Sequence, residues 1–326
     1  MKHRPRIGVI RGGPSMEYDV SINSGSTVLK TLRESFGDMY NAKDIFIDKS
    51  GNWHVDGFPM TREHSIQSAD ILFNALHGTY GEDGKIQSFF EYHDKPFTGS
   101  GSLASSIGMS KILSKKVFVD NDIKTPNYVV FDSDRIKTES DIITKELFET
   151  FILPGVIKPS SSGSSIGVTV VRSYNEIPKA LLEAAKYSDT VMVEEYIPGI
   201  ETTCAVIEKF RGQELYALPP IEIRPNNQFF DYESKYSGKS EEIVPATFSD
   251  KLKFELEDAS RRVHKALGLR HYSRSDFIIH PRRGIYVLEV NTLPGLTHES
   301  LLPKALKAVG SSLPEFVKHV ISLSSE

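Results

Sequence analysis

Short apolar runs, each followed by glycine or polar residues, recur through the first hundred residues of the chain. The runs "RIGVI", "DIFID" and "ADILFNAL" have the length of buried strands, and the glycines after the first run lead into "DVSINSGSTVLKTL", which is typical of a helix. Strands that alternate with helices predict a parallel α/β sheet. We therefore expect an N-terminal α/β domain over residues 1–99.

From residue 100 onward the strand-like runs are denser and richer in β-branched residues. The runs "NYVVF", "GVIKP", "GVTVV" and "VMVEEYI" predict a small α+β unit over residues 100–194. A third unit, residues 195–326, contains the strand-like runs "ETTCAVI", "YALPPIEI", "SRSDFIIH" and "GIYVLEV", with a helix at "DKLKFELEDASRRVHKALG". The predicted fold class is therefore α/β combined with α+β.

A polar turn joins the last two strand-like runs and predicts a β-hairpin. Because side chains alternate along a strand, Glu289 and Asn291 share one face, and hairpin pairing brings Asp276 opposite them. Two carboxylates and one amide are hard oxygen ligands that suit Mg²⁺ or Mn²⁺ shared with phosphates. The alternative is a surface edge at which Asp276 or Glu289 pairs with Arg274 or Arg283.

Other stretches suggest contacts to a phosphorylated ligand. In "IKPSSSGSSIGV", Lys158 ends a strand and precedes small residues whose backbone N–H groups can surround phosphate oxygens. The stretch lacks the Walker order, so by itself it indicates little. Lys111 in "GMSKILSKK" is a second candidate, with a solvated helical lysine as the alternative. The strand end "VMVEEYIPGIE" offers backbone groups to a purine and a carboxylate to a ribose.

Two loops complete the candidate chemistry. His77, in "NALHGTYGEDG", follows a predicted strand inside a glycine-rich turn, and open α/β sheets bind ligands at such strand ends. The stretch "FDYESKYSG" combines aromatic and charged residues and predicts a lid. The first glycine turn lacks the dinucleotide-binding spacing of glycines, which argues against a dehydrogenase.

Composition narrows the function classes. The chain has 326 residues, ordinary globular proportions of 39% hydrophobic and 25% charged residues, and a net charge of −4, which argues against nucleic-acid binding. The single cysteine, Cys204, excludes an intrachain disulfide, indicates a reducing compartment and is expected to be a buried filler. No apolar run reaches the roughly 20 residues of a membrane helix, and the N-terminal run is too short for a signal peptide. We expect a cytoplasmic protein with no membrane partner.

Taken in order, several of these stretches resemble the D-alanine–D-alanine ligases of the ATP-grasp superfamily. The stretches that carry the resemblance extend from about residue 7 to residue 308 and are "HGTYGEDGKIQ", "PFTGSGSLASSIGMSK", "IKPSSSGSSIGV", "VEEYIPGIE", "DYESKY", "SRSDF" and "LEVNTLPGLTHESLLPKA". The resemblance implies an ATP-grasp fold, cytoplasmic peptidoglycan precursor synthesis, small-molecule substrates and a homodimer. It also implies that ATP phosphorylates one D-alanine and that the amine of a second attacks the acyl phosphate.

The resemblance implies ATP and two Mg²⁺ or Mn²⁺ ions as cofactors, with the metal held by Asp276, Glu289 and Asn291. The residues that it implies for ATP are Lys111, Lys158, Ser162, Gly163, Ser164, Ser165, Glu194, Glu195, Ile197, Glu201 and Lys235. Two alternatives stay open: a related carboxylate–amine ligase with another amino acid in one position, and an inactive nucleotide-binding paralogue.

For the amino acids, the resemblance implies that Arg274 and the Gly295 N–H stabilise the oxyanion. It implies that Tyr236, Ser164 and an N-terminal carboxylate form a hydrogen-bonded set around the first amino acid. The depsipeptide-forming relatives lack the tyrosine, so Tyr236 favours an amine nucleophile. Two more residues are implied as substrate contacts, namely His77 for the first amino acid and Ser300 for the second.

One position departs from the family pattern. The family carries "E-x-E-V-S", and this chain has "EYDVS", which puts Asp19 at the second carboxylate. We predict that Asp19 holds the ammonium of the first substrate. Its side chain is one methylene shorter than glutamate, and its reach is shorter by about 1.5 Å.

Overall fold

Three β-sheets form the framework of the computed structural model, which describes residues 4–161, 166–225 and 240–325. One sheet falls in each of the three predicted ranges, although the boundary at residues 194/195 cuts off the last residue of a strand, Thr190–Glu195. The three domain ranges stay predictions. The mixture of parallel and antiparallel sheets with helices confirms the predicted fold class.

The N-terminal sheet has five strands. They are β1 (Arg6–Gly12), β2 (Asn41–Ile47), β3 (Trp53–Val55), β4 (Phe58–Met60) and β5 (Ile71–Asn74). Their order is β4-β3-β2-β1-β5, and β1 pairs in parallel with β2 and β5, as predicted. The sequence did not predict β3 and β4, a short antiparallel hairpin at the edge.

The second sheet has four strands in the order β6-β9-β7-β8. They are β6 (Tyr128–Asp132), β7 (Gly155–Pro159), β8 (Thr169–Val171) and β9 (Thr190–Glu195). Ile157, Val191 and Val193 on one face pack against two helices, whereas Lys158, Met192 and Glu194 occupy alternate positions. Lys158 and Glu194 therefore lie on the sheet face opposite these two helices, and both are buried.

The third sheet contains the predicted hairpin. Its strands are β10 (Ile200–Glu208), β11 (Leu215–Ala217), β12 (Ile221–Pro225), β13 (Ser240–Ile243), β14 (Tyr272–His280) and β15 (Gly284–Asn291). The order is β13-β12-β10-β14-β15, with β11 also paired to β10. Strands β14 and β15 are antiparallel, which confirms the hairpin.

Ten α-helices, the shortest of 6 residues and the longest of 19, lie in the described residues. They are α1 (Tyr18–Phe36), α2 (Arg62–Gln67), α3 (Lys85–Tyr92), α4 (Ser102–Met109), α5 (Lys111–Asp120), α6 (Ser133–Thr150), α7 (Ile177–Ala184), α8 (Asp250–Ala266), α9 (Leu301–Ala308) and α10 (Leu313–Leu323). Short 3₁₀ turns occur at Tyr174–Glu176 and Phe210–Gly212. None of the helices described is long and apolar enough to cross a membrane.

A shared core joins the N-terminal sheet to the C-terminal part of the chain. Val9 and Phe73 of the first sheet belong to one buried cluster with Tyr272 and Phe316. Tyr272 and Phe316 pack edge to face, with ring centroids 5.1 Å apart, a favourable aromatic geometry. This packing fixes the ends of β1 and β5 relative to the β14–β15 hairpin. Cys204 is buried in a second cluster, and burial raises the pKa of its thiol to about 12, as expected for an inert filler.

Candidate active site

The end of the β14–β15 hairpin brings the predicted metal ligands together. Asp276 lies directly opposite Glu289, and Arg274 lies opposite Asn291. A register shift follows Asp276, because Phe277 pairs with Val287. Bulges of this kind redirect side chains at sites of function. The predicted pairing of Asp276 with the end of β15 is therefore confirmed.

Asp276 is held by the protein on both of its oxygens. The Arg274 guanidinium donates to Oδ1 at 2.9 Å and to Oδ2 at 3.0 Å. The Thr203 hydroxyl donates to Oδ1 at 2.7 Å, and the Asn291 amide nitrogen donates to Oδ2 at 3.0 Å. The ion pair with Arg274 is the contact that we predicted as the alternative to a metal site. Asp276 therefore pairs with an arginine and also occupies the position predicted for a metal ligand.

The chemistry of this patch suits a hard divalent cation. Asp276, Glu289 and Asn291 supply carboxylate and amide oxygens, and histidine and cysteine are absent from the set. Positive charge adjoins it, since Lys111 Nζ lies 3.2 Å from Glu289 Oε2. Burial opposes the charge of Arg274, but Asp276, Glu289 and Glu82 outweigh this effect and raise the pKa of its guanidinium.

A second group of side chains meets at the ends of α1 and β5. Glu17, His77 and Glu82 each present a ligand-type atom, and these atoms lie within 4.8 Å of one another. His77 hydrogen-bonds through Nε2 to the Ser24 hydroxyl at 3.0 Å. Burial, with a smaller effect of the Arg274 charge, lowers the pKa of His77 to about 4 against the opposing effect of a backbone hydrogen bond with Leu293, so its imidazole is neutral at pH 7.

Asp19 is not part of this group. It is exposed on the first turn of α1, whereas Glu17 precedes the helix at its N-cap. Successive helical residues are about 100° apart, so residues two apart point to nearly opposite sides. Of the two carboxylates in "EYDVS", the first therefore lies beside His77. The sequence contained a clue to this arrangement, because the family pattern "E-x-E-V-S" also has a glutamate at the position of Glu17.

Glu82 was not predicted as a site residue. Its carboxylate accepts hydrogen bonds from Gly78 N and Leu293 N, both at 2.9 Å, and from the Thr292 hydroxyl at 3.2 Å. Burial, and next the charge of Glu17, raise the pKa of Glu82 to about 7. One carboxylate thus ties the turn after β5 to the segment after β15.

The segment after β15 is also tied to α1. The Ser24 hydroxyl, which contacts His77, accepts from Leu296 N at 3.2 Å. A Cβ on Gly295 would lie only 2.8 Å from Ser300 Oγ, so this backbone comes close to the predicted carboxylate-binding serine. Gly295 therefore adjoins Ser300, and Ser24 links the neighbouring Leu296 to His77. The contacts of these residues with the two amino acids stay predictions.

Comparison with known proteins supplies the family. The D-ala D-ala ligase C-terminus model matches residues 117–322, and the N-terminus model matches residues 56–100. The D-alanine--D-alanine ligase of Carboxydothermus hydrogenoformans is 39% identical over 98% of both chains, and that of Geotalea uraniireducens is 36% identical over 98% of this chain and 96% of the relative.

This chain belongs to the D-alanine–D-alanine ligase family. Solved structures agree with this assignment. The VanG D-Ala:D-Ser ligase of Enterococcus faecalis is 30% identical with a TM-score of 0.85, and covers 99% of this chain and 100% of its own. The D-alanine-D-alanine ligase of Coxiella burnetii is 25% identical with a TM-score of 0.82, and the match covers 98% and 94% of the two chains. The ATP-grasp fold and the ligase class are thereby confirmed.

The family resemblance assigned ATP contacts to the second sheet, and two of them form an ion pair. Lys158 Nζ lies 2.9 Å from Glu194 Oε2, and both side chains are buried. A third group, Lys115, contacts the same oxygen at 2.9 Å and was not predicted. Lys111 is joined to the second sheet through its backbone, since its N–H donates to Ser160 O at 3.0 Å.

Three more predicted ATP contacts lie at the end of β9 or between there and the start of β10. Glu195 is paired with Arg283 of the hairpin turn, Ile197 is 2% exposed, and Glu201 is half-buried on β10. The ligase-family residues of the serine loop and of the predicted lid lie outside the described residues. These are Ser162, Gly163, Ser164, Ser165, Lys235 and Tyr236.

Proposed function

We propose that this chain uses ATP to join two D-alanines into D-alanyl-D-alanine, with ADP and phosphate as the other products. One observation carries the proposal: the β14–β15 hairpin and the Glu17–His77–Glu82 group are connected through the segment that Glu82 holds. A patch that suits a divalent cation and phosphates would therefore adjoin side chains that suit a small zwitterion. Relatives named as D-alanine--D-alanine ligases over nearly full length support the same reaction.

The first step brings a carboxylate up to ATP, so positive charge must gather where two anions meet. Lys111 and Lys158 would contact phosphate oxygens, and the Arg274 guanidinium would stabilise the oxyanion that forms during attack by the amine. The Gly295 N–H would donate to the same oxyanion. Mg²⁺ or Mn²⁺, held by Asp276, Glu289 and Asn291, would supply further charge neutralisation to the phosphates.

For the first D-alanine we propose Glu17, in place of Asp19, as the partner of the ammonium. Glu17 lies beside buried His77 and Glu82, whereas Asp19 is exposed. A neutral His77 can hydrogen-bond to the substrate without repelling its ammonium. Ser300 is proposed to hold the carboxylate of the second D-alanine, because its hydroxyl adjoins Gly295.

Several other features stay predictions. They are the adenine contacts of Glu194, Glu195 and Ile197, the ribose contact of Glu201, the roles of residues 162–165, Lys235 and Tyr236, cytoplasmic peptidoglycan precursor synthesis and the homodimer. An inactive nucleotide-binding paralogue would be expected to lose charged site residues, yet Lys111, Arg274 and Glu289 are all retained.

The test is phosphate release from ATP and Mg²⁺ with D-alanine, L-alanine and D-serine, alone and in pairs, with mass spectrometry of the products. We expect release and D-alanyl-D-alanine with D-alanine alone. A preference for D-alanine plus D-serine would instead give this chain the activity named for the Enterococcus faecalis relative. Absence of release with every D-amino acid would contradict the proposal.

A further inference from the structure

Two lysines one helical turn apart on α5 reach two different sheets. Lys111 contacts Glu289 of β15, whereas Lys115 Nζ lies 2.9 Å from Glu194 Oε2 of β9. Residues four apart on a helix share a face, so both ammonium groups project from the same side of α5. The family resemblance gives a role to Lys111 alone. Lys115 thus has a position in the site without an assigned purpose.

Lys115 is a fully buried ammonium, with 0% of its surface exposed. Besides Glu194, it contacts the Thr125 hydroxyl at 2.5 Å and lies 5.5 Å from the centre of the Tyr128 ring. The Thr125 hydroxyl donates in turn to Val287 O of β15 at 2.8 Å. Burial of an ammonium costs free energy unless close partners compensate it. Its partners belong to β9, to the start of β6 and to the segment before β6, and Thr125 extends them to β15.

Glu194 forms ion pairs with both Lys115 and Lys158. On the antiparallel pair β7–β9, Lys158 lies opposite Met192, and Glu194 is two residues further along the same face. This diagonal relation explains why the Lys158 ammonium also reaches Glu194 Oε2, at 2.9 Å. One carboxylate stands between two ammonium groups, so the three side chains carry one positive charge in excess.

That excess charge would depend on Lys115. Without Lys115, Glu194 and Lys158 would pair one to one and neutralise each other. In a site from which water is largely excluded, loss of one positive charge strongly weakens the attraction for an anion. Without Lys115, the Glu194 carboxylate would have Lys158 as its one cationic partner, and it would hold the Lys158 ammonium more strongly.

We infer that Lys115 is a positioning residue of the nucleotide site: it shares the Glu194 carboxylate with Lys158, and so keeps the Lys158 ammonium oriented and available to a nucleotide phosphate. The inference rests on the proposed use of ATP. It does not depend on which amino acids are joined.

The charge states agree with this role. Burial would raise the pKa of Glu194, but Lys115 and Lys158 outweigh it and lower that pKa, which keeps the carboxylate ionised. Burial, together with the charge of Lys158, lowers the pKa of Lys115 to about 8 against the opposing effects of Glu194 and Glu289. The titratable Tyr128 also faces it. Lys115 therefore loses charge as the pH rises above 8.

The test measures the dissociation constant of Mg-ADP by calorimetry, without amino acids. We expect Lys115→Met to weaken binding on the order of tenfold or more, as loss of one charge near a desolvated phosphate implies. The matched control is Lys116→Met, an exposed lysine on the same helix, which should leave the constant unchanged. Lys115→Arg retains the charge and should bind more tightly than Lys115→Met.

A double variant separates charge balance from packing. In Lys115→Met/Glu194→Gln the carboxylate charge is also removed, so Lys158 regains its excess charge and Mg-ADP should bind more tightly than to Lys115→Met. Because Glu194 is also a predicted adenine contact, the reference is Glu194→Gln alone, on which Lys115→Met should cost much less than it does in wild type. A purely structural role for Lys115 predicts no such recovery. The wild-type constant should also weaken between pH 7.5 and 9, and Lys115→Met should remove the part of this slope that is due to Lys115.

The two proposals can fail separately. Wild-type protein that binds Mg-ADP but releases no phosphate with D-alanine would contradict the proposed substrates and leave the Lys115 comparison valid. Equal Mg-ADP affinity in wild type and Lys115→Met, or a double variant no better than the single one, would overturn the role of Lys115. Wild-type protein that does not bind Mg-ADP would overturn it as well.

Discussion

Glu17 and His77 lie beside each other: a carboxylate oxygen of Glu17 is within 4.8 Å of an imidazole nitrogen of His77, although 60 residues separate them. Glu82 completes the group, while Asp19 points to solvent from the first turn of α1. Two neighbouring carboxyl groups and a neutral imidazole leave negative charge in excess, although the raised pKa of Glu82, about 7, leaves that group only partly ionised at pH 7. Negative charge here would attract an ammonium group. In the proposed reaction the carboxylate of the first D-alanine is phosphorylated, and its ammonium group is the other charged group that the site must hold.

Glu17→Gln should lower kcat/KM for the first D-alanine by about tenfold to a hundredfold, because a charge-assisted hydrogen bond to the ammonium is lost. Asp19→Asn is the matched control, and an exposed substitution of this kind should change kcat/KM by no more than about twofold. Steady-state phosphate release at varied D-alanine concentration measures both. A larger loss in Asp19→Asn than in Glu17→Gln would restore Asp19 as the ammonium partner.

The sequence predicted well what depends on neighbouring residues. The turn between β14 and β15 and the alternation along β15 are local, and together they were enough to bring Asp276 opposite Glu289. The sequence did not show that α1 begins at Tyr18, directly after Glu17. Residues two apart at a helix start point to nearly opposite sides, so the start of α1 decides which carboxylate of "EYDVS" faces His77.

Contacts between distant segments could not be predicted in this way. Glu82 binds Leu293, 211 residues away, and Lys115 binds Glu194 across the junction between α5 and the second sheet. Nothing in the local pattern distinguishes these side chains from solvated ones. Their partners follow only once the packing of helices on sheets is known. The β3–β4 hairpin was missed for a different reason, since each strand has only three residues.

Glu289→Gln should weaken Mn²⁺ binding in the presence of ADP by at least about tenfold, because one carboxylate ligand is replaced by a neutral amide. Electron paramagnetic resonance of free Mn²⁺ measures this without turnover. Glu214→Gln, at an exposed position outside the site, is the control and should bind as wild type does. Retained ADP binding without metal would show that the variant is folded. Unchanged Mn²⁺ affinity in Glu289→Gln would rule out Glu289 as a ligand.

Arg274→Lys should lower kcat by about a hundredfold to a thousandfold, the usual cost of losing one oxyanion donor. A lysine cannot reproduce the two bonds of the guanidinium, through Nε and a terminal nitrogen, to Asp276. Mg-ADP affinity should change much less than kcat. The control is Arg282→Lys, in the exposed turn of the same hairpin. An Arg274→Lys variant with wild-type kcat would remove Arg274 from the proposed oxyanion contact.

Acid should destabilise the fold partly through His271, which joins the N-terminal and C-terminal parts of the chain. Its Nδ1 accepts a hydrogen bond from Gly99 N at 3.1 Å, and an acceptor at this atom must be unprotonated. Burial, and next Arg270, lower the pKa of His271 to about 4 from 6.5. The unfolded chain therefore binds a proton between pH 6.5 and pH 4 that the folded chain does not bind. The free energy of unfolding must fall as the pH decreases through this interval.

From pH 7.5 to pH 5.0 the loss due to His271 should be about 2 kcal/mol, on the order expected for a pKa difference of this size. His271→Asn removes this titration, and asparagine suits both the positive φ of 66° and the acceptor role toward Gly99. Urea unfolding of both proteins at the two pH values measures the difference. His77 has a similarly lowered pKa, so the variant should keep part of the acid sensitivity. Equal losses in wild type and His271→Asn would mean that His271 binds its proton as readily in the folded chain as in the unfolded one.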